Sequence, residues 1–178
     1  MLEITFNDGG AQAALNRLIA TTSNTKPAML EIGERLMEVS KRSFETSSSP
    51  SGVPWLPNSQ TTIVRFLDQL KGNYKKDGSL SKKGEQRASG KKPLIGNSKD
   101  LSRQFSYVAD AGSVTLSNSM VYAAMQQFGG SKKQFPNLWG DIPARPFMPM
   151  DASGQADQVA QKIVMDIVQF HIANAITD

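Results

Sequence analysis

The residues whose types and spacing come nearest to chemistry lie between Ser79 and Lys92. Gly84 to Lys92 reads GEQRASGKK, the ingredients of a loop whose glycine amides and lysine cradle phosphate while a following hydroxyl holds magnesium. Here the two glycines stand one residue further apart than in that loop, and Lys92 occupies the place of the hydroxyl. Ser79-Leu80-Ser81-Lys82 has the Ser-x-x-Lys spacing of an acyl-transfer nucleophile, without the partner motifs such an enzyme needs. The single histidine, His171, sits between Phe170 and Ile172, a setting for a packed, hydrogen-bonded ring. Asp8, Glu31, Glu34, Glu38 and Asp166 fall on polar faces, away from the apolar surroundings that would raise a carboxyl pKa for general-acid work. With no cysteine, a thiolate nucleophile, a disulfide framework and a cysteine zinc site are all excluded. No set of nucleophile, base and oxyanion donor emerges, so the expectation is a protein that is not an enzyme and has no catalytic, cofactor or metal site.

Charge offers a second kind of chemistry. From Lys71 to Arg103 ten cations face three acids, a local excess of +7, whereas the whole chain carries +4. The basicity therefore belongs to one segment. Lys75, Lys76, Lys82, Lys83, Arg87, Lys91 and Lys92 stand among glycines and serines with little apolar periodicity, which predicts a mobile loop over 75–92. Such a loop suits contact with an acidic partner or salt-dependent, sequence-blind contact with DNA phosphates. A solvated charged loop is the plainer alternative.

These residues must be positioned by the rest of the chain. Leu2, Ile4 and Phe6 alternate as in a short strand, and Asn7 to Gly10 reads as a turn. Ala14, Leu15, Leu18 and Ile19 form one helical stripe. Met29, Ile32, Leu36 and Phe44 form another over about 26–44, with Gly33 inside it as a weak spot or a point of close backbone approach. Residues 46–62 hold Pro50, Gly52, Pro54 and Pro57 around a lone Trp55, which predicts a loop whose tryptophan needs a surface. A helix on Ile63, Phe66, Leu67 and Leu70 ends near Gly72. Phe105, Tyr107 and Ala109, then Val114 and Leu116, alternate about an Asp110-Ala111-Gly112 turn and spell a β-hairpin. Val121, Tyr122, Met125 and Phe128 predict a short helix stopped by Gly129 and Gly130. A final helix carries Val159, Ile163, Val164, Ile167, Phe170 and Ile176, with Asp151 and Ser153 as N-cap candidates. The expected fold is α+β, a small antiparallel sheet packed against two or more long helices in one domain over 1–178. Neither a leader pattern nor a run of about 18 apolar residues occurs, so a soluble protein with no membrane partner is expected.

Between that short helix and the last one, Pro136, Pro143, Pro146 and Pro149 enforce an extended course. This arm, about 129–150, carries Phe135, Trp139, Arg145, Phe147 and Met148. Aromatics, methionine and arginine favour buried interface cores, and a loop packed on its own domain is the other reading.

YAAMQQFGG at Tyr122–Gly130 followed by IPARPFM at Ile142–Met148 resembles the signature of the phage virion morphogenesis family, the tail completion proteins of Mu-like phages. Pro50, Gly52, Trp55 and Thr61 or Thr62 are similar to a further family element, and Leu94 and Ile95 to another. The basic stretch at about 72–93 then looks like an insertion. The resemblance implies a fold like that of phage neck and tail-terminator proteins. It implies a structural role as well: a ring of identical subunits, a hexamer, at the head-proximal end of the tail, between the tail tube protein and the head-tail connector. Such a protein would be assembled in the host cytoplasm and end in the virion. On that reading Trp55, Tyr122, Phe128, Phe135, Trp139, Arg145, Pro146, Phe147 and Met148 form the subunit or partner interface.

Overall fold

A computed structural model describes residues 11–138 and 140–177. The strand expected at Leu2–Phe6 and the arm residue Trp139 lie outside the described residues. Within them the fold is α+β, with seven helices and one two-stranded antiparallel sheet. In chain order these are α1 (Ala11–Ser23), α2 (Lys26–Thr46), α3 (Gln60–Asp68), α4 (Lys82–Ser89), α5 (Asp100–Arg103), β1 (Phe105–Ala109), β2 (Val114–Asn118), α6 (Ala123–Phe128) and α7 (Gln158–Thr177). No helix among the described residues is long and apolar enough to cross a membrane.

The residues gather into two compact units, the first holding 11–38, 106–117 and 149–177 of the described chain. Its core follows from the helical stripes: Ala28, Ile32 and Leu36 on α2 meet Ala160 and Ile167 on α7, with Val114 and Leu116 of β2 packed against them. The hairpin alternates as its sequence demands, Tyr107, Ala109, Val114 and Leu116 half-buried and Ser106, Val108, Thr115 and Ser117 exposed. Its turn is held by Asp110, whose carboxylate accepts from the amides of Gly112 (2.8 Å) and Ser113 (2.7 Å). Those hydrogen bonds, the Gly112 amide first, keep the Asp110 carboxyl below its ordinary pKa. Helix α1 lies along α7, and Arg17 donates to the carbonyls of Ala175 (3.2 Å) and Ile176 (3.4 Å), groups that a helix C-terminus leaves without partners. The α7 N-cap is Asp157, which accepts from the Ala160 amide at 2.9 Å. Asp151, expected in that role, instead closes a turn with Ser153 and Gln155.

Gly33 is a point of close approach, but to a side chain: a Cβ there would run into the ring of Tyr107 near its root. Gly33→Ala must displace that ring and is expected to destabilise the protein by about 1–3 kcal/mol. Unchanged thermal melting of the variant would show that the ring has room to move.

The second unit holds Val39–Phe105 and Asn118–Met148. Its basic stretch is structured where a mobile loop was expected. Tyr74 and Leu80 form an antiparallel bridge around Gly78. Ser81 then caps α4, its hydroxyl accepting from the Gly84 amide at 3.1 Å. Asn73, almost fully buried, donates to the carbonyls of Leu67 (2.7 Å) and Leu70 (2.9 Å) and accepts from Arg87 at 2.7 Å. Gly84 sits against the Asn73 carbonyl, leaving no space for a Cβ. A cap, a buried amide and a glycine contact thus hold a helix that has almost no apolar face, which is why periodicity missed it.

Candidate partner-docking site

The arm is fastened to its own unit by two glutamines of α6 and by the loop around Trp55. Gln127 is buried; its side-chain oxygen accepts from the amides of Phe147 (2.8 Å) and Met148 (3.0 Å), and its nitrogen donates to the Met148 carbonyl (3.0 Å). One amide therefore satisfies three backbone groups of a strand whose prolines prevent it from joining a sheet. The neighbouring Gln126 carbonyl accepts from the Arg145 amide at 2.8 Å. Arg145 is itself buried, with Nε donating to the Leu56 carbonyl and Nη2 to the Pro57 carbonyl, both at 2.9 Å. Burial moves its guanidinium pKa below the ordinary value.

Trp55 completes the clamp by donating from Nε1 to the Pro146 carbonyl at 2.7 Å. Its ring packs edge-on against Phe44, with centroids 5.4 Å apart, and Phe44 in turn meets Phe147 at 5.2 Å and Phe105 at 6.1 Å. Phe147 and Phe105 close the cluster at 5.9 Å. The tilted and edge-to-face geometry is the favourable one for aromatic quadrupoles. At the base of the arm Gly129 has φ +72°, and a Cβ there would lie 2.7 Å from the Ala144 amide nitrogen. Only glycine lets α6 end while the returning strand passes so close, an approach sealed by paired hydrogen bonds between Gly130 and Ile142.

The residues expected at an interface therefore divide. Trp55, Arg145, Phe147 and Met148 are buried inside this unit, Phe147 at 0 % exposure, and Pro146 is half-buried beside them. Tyr122, Phe128 and Phe135 remain 41 %, 44 % and 47 % exposed. Phe128 and Phe135 flank a shallow hollow over Gly129 and Gly130. Tyr122 borders a separate open groove of about 720 Å³, lined also by Leu56, Ile95, Pro143 and Arg145. The basic residues divide too. Lys75, Lys76, Lys82 and Lys83 are exposed. Arg87 is held by Asn73 and by the Lys71 carbonyl. Lys91 lies over the Phe66 ring at 4.7 Å and donates to the Ile95 carbonyl, and desolvation lowers its pKa. Lys92 donates to the Glu45 carbonyl at 2.6 Å.

Gln127 and Asn73 were not singled out by the sequence reasoning, because a buried amide in a short segment has no periodic signature. The available signal for Gln127 was its place two residues before Gly129 in a motif followed by a proline-rich strand. Among the described residues no group of three or more His, Asp or Glu side chains gathers that could hold a metal ion.

In comparisons with known proteins, the sequence model of the phage virion morphogenesis family matches residues 6–171. None of the curated proteins and none of the solved structures matches the chain.

Proposed function

We propose, from the premise that this chain belongs to the phage virion morphogenesis family, that it is a tail completion protein forming a homomeric ring at the head-proximal end of the tail. Family membership supports a structural role in virion assembly, and the geometry of the arm supports the finer reading. The observation that carries it is an arm locked to its own unit by Gln127, Arg145 and Trp55, with Phe128 and Phe135 left on its outside. Rigid exposed aromatics lose little entropy on docking, so more of their buried area appears as affinity. The same unit has knobs, Phe128 and Phe135, and a groove beside Tyr122. A patch that meets a different patch on the next subunit makes a heterologous contact, the kind that closes rings by rotation.

The interface assigned here is Tyr122, Phe128 and Phe135, and the ring would seat on the tail tube protein on one side and the connector on the other. Light scattering of the full chain, alone and with purified tail tubes, tests this. Wild type is expected to give a closed ring, alone or on the tubes. Phe128→Ser combined with Phe135→Ser should stay monomeric with an unchanged circular dichroism spectrum, since interface hot spots each contribute on the order of 2 kcal/mol or more. Assembly of the double variant would remove the arm from the interface. A wild-type monomer that ignores the tubes would end the ring reading.

A further inference from the structure

Within the second unit a concave cleft of about 600 Å³ is lined by Lys41, Lys92, Lys99 and Arg103, with Phe44 and Ile95 on its wall and Glu45 as its one acid. Four cations from the end of α2, the Lys92 segment and α5 thus converge on one opening. None of Lys41, Lys99 and Arg103 forms an ion pair among the described residues, where the ion pairs join Arg35 to Glu38, Lys162 to Asp166 and His171 to Glu31. Gathering like charges in a hollow raises their mutual repulsion, and low-dielectric walls focus the resulting field outward. Glu45 is the single acid among the lining residues, so the cations outnumber it four to one.

The backbone adds a second observation. Lys99 holds a left-handed conformation, φ +59°, which a residue with a Cβ adopts only when its surroundings enforce it. Ser102 ties down the Lys99 carbonyl, donating to it from the amide (3.2 Å) and the hydroxyl (2.8 Å). Lys92 is likewise tethered at the cleft, through the Glu45 carbonyl. All four cations are solvent-exposed, as Lys75, Lys76, Lys82 and Lys83 are, but they line one shared hollow, with the Lys92 ammonium and the Lys99 backbone tethered at its edge.

We propose that this cleft is a docking site for an extended, carboxylate-rich segment of a partner protein. Clustered cations recognise acidic motifs by charge complementarity. The size is that of a site for side chains, on the order of 300–1,000 Å³, and a narrow chain enters it where a duplex could only lie across its rim. Ile95 gives the methylenes of glutamate side chains an apolar wall, for which a phosphate backbone has no use. The inference does not depend on ring formation, and its test reads the isolated chain.

Fluorescence anisotropy of a labelled octa-glutamate peptide against the full-length protein at low salt makes the test. Labelled duplex DNA and competing inorganic phosphate form the other arms. Lys41→Glu, Lys99→Glu and Arg103→Glu together should weaken peptide binding about tenfold or more, because the local field reverses. Lys75→Glu, Lys76→Glu and Lys82→Glu, with the same change in net charge, should weaken it less than about threefold. If the cleft variant misfolds, Lys41→Gln with Arg103→Gln replaces it, with a loss of about threefold or more expected. Equal losses in cleft and control variants would reduce the effect to diffuse charge and overturn the proposal. So would no peptide binding by wild type, tighter cleft-dependent binding of DNA than of peptide, or displacement of the peptide by millimolar phosphate alone.

Discussion

Gln127→Leu is expected to destabilise the second unit by about 3 kcal/mol or more, although leucine nearly matches the volume it replaces. The loss comes from what is left behind. The amides of Phe147 and Met148 and the carbonyl of Met148 would all lose their partner in a buried setting, and each unsatisfied backbone group costs about 1–3 kcal/mol. For a chain of this length that corresponds to a fall in Tm of roughly 6–12 °C. Gln126→Leu is the control. Its carbonyl, not its side chain, receives the Arg145 amide, so a change under about 0.5 kcal/mol is expected. If differential scanning calorimetry gave the two variants the same Tm, the amide bridge would not be what holds the arm.

Phe147→Ala should have an effect of similar size by a different route. The ring is wholly buried against Phe44 and Phe105, and truncating such a residue removes its transfer free energy and leaves a cavity, together about 3–5 kcal/mol. Phe135→Ala, on the same arm and 47 % exposed, should change stability by less than about 1 kcal/mol. Urea denaturation of both variants separates packing from docking. A loss of assembly in Phe147→Ala would report a damaged unit, whereas the same loss in a fully stable Phe135→Ala would report a lost contact. Equal, small losses in both would mean that the arm is not packed as described.

The comparison of those two phenylalanines shows how far sequence reasoning reaches in this protein. Both lie among prolines, both are aromatic, and both suit an interface core by composition. Their fates differ because Phe147 follows Arg145, whose guanidinium finds two carbonyls 88 and 89 residues earlier in the chain, and because Gln127 receives its amide from 20 residues away. No period connects such partners. The helix over Lys82–Ser89 escaped for a related reason: it is held by Ser81, Asn73 and Gly84 and not by an apolar stripe.

What the amino-acid sequence determined by itself is local and repetitive. Spacings of three and four set the inner faces of α2 and α7, alternation about Asp110 set the hairpin, and Gly129 with the following prolines set where α6 must stop and an extended arm begin. The two short motifs at Tyr122–Gly130 and Ile142–Met148 pointed to the family that matches residues 6–171. Tertiary structure alone decided which arm residues turn inward, which lysines stay exposed, and that Lys41, Lys92, Lys99 and Arg103 share one cleft. Periodic burial repeats within a few residues and leaves a pattern in the chain. Single buried amides, a clamped guanidinium and converging charges are each one-time contacts between distant segments, and they exist only once the chain has folded.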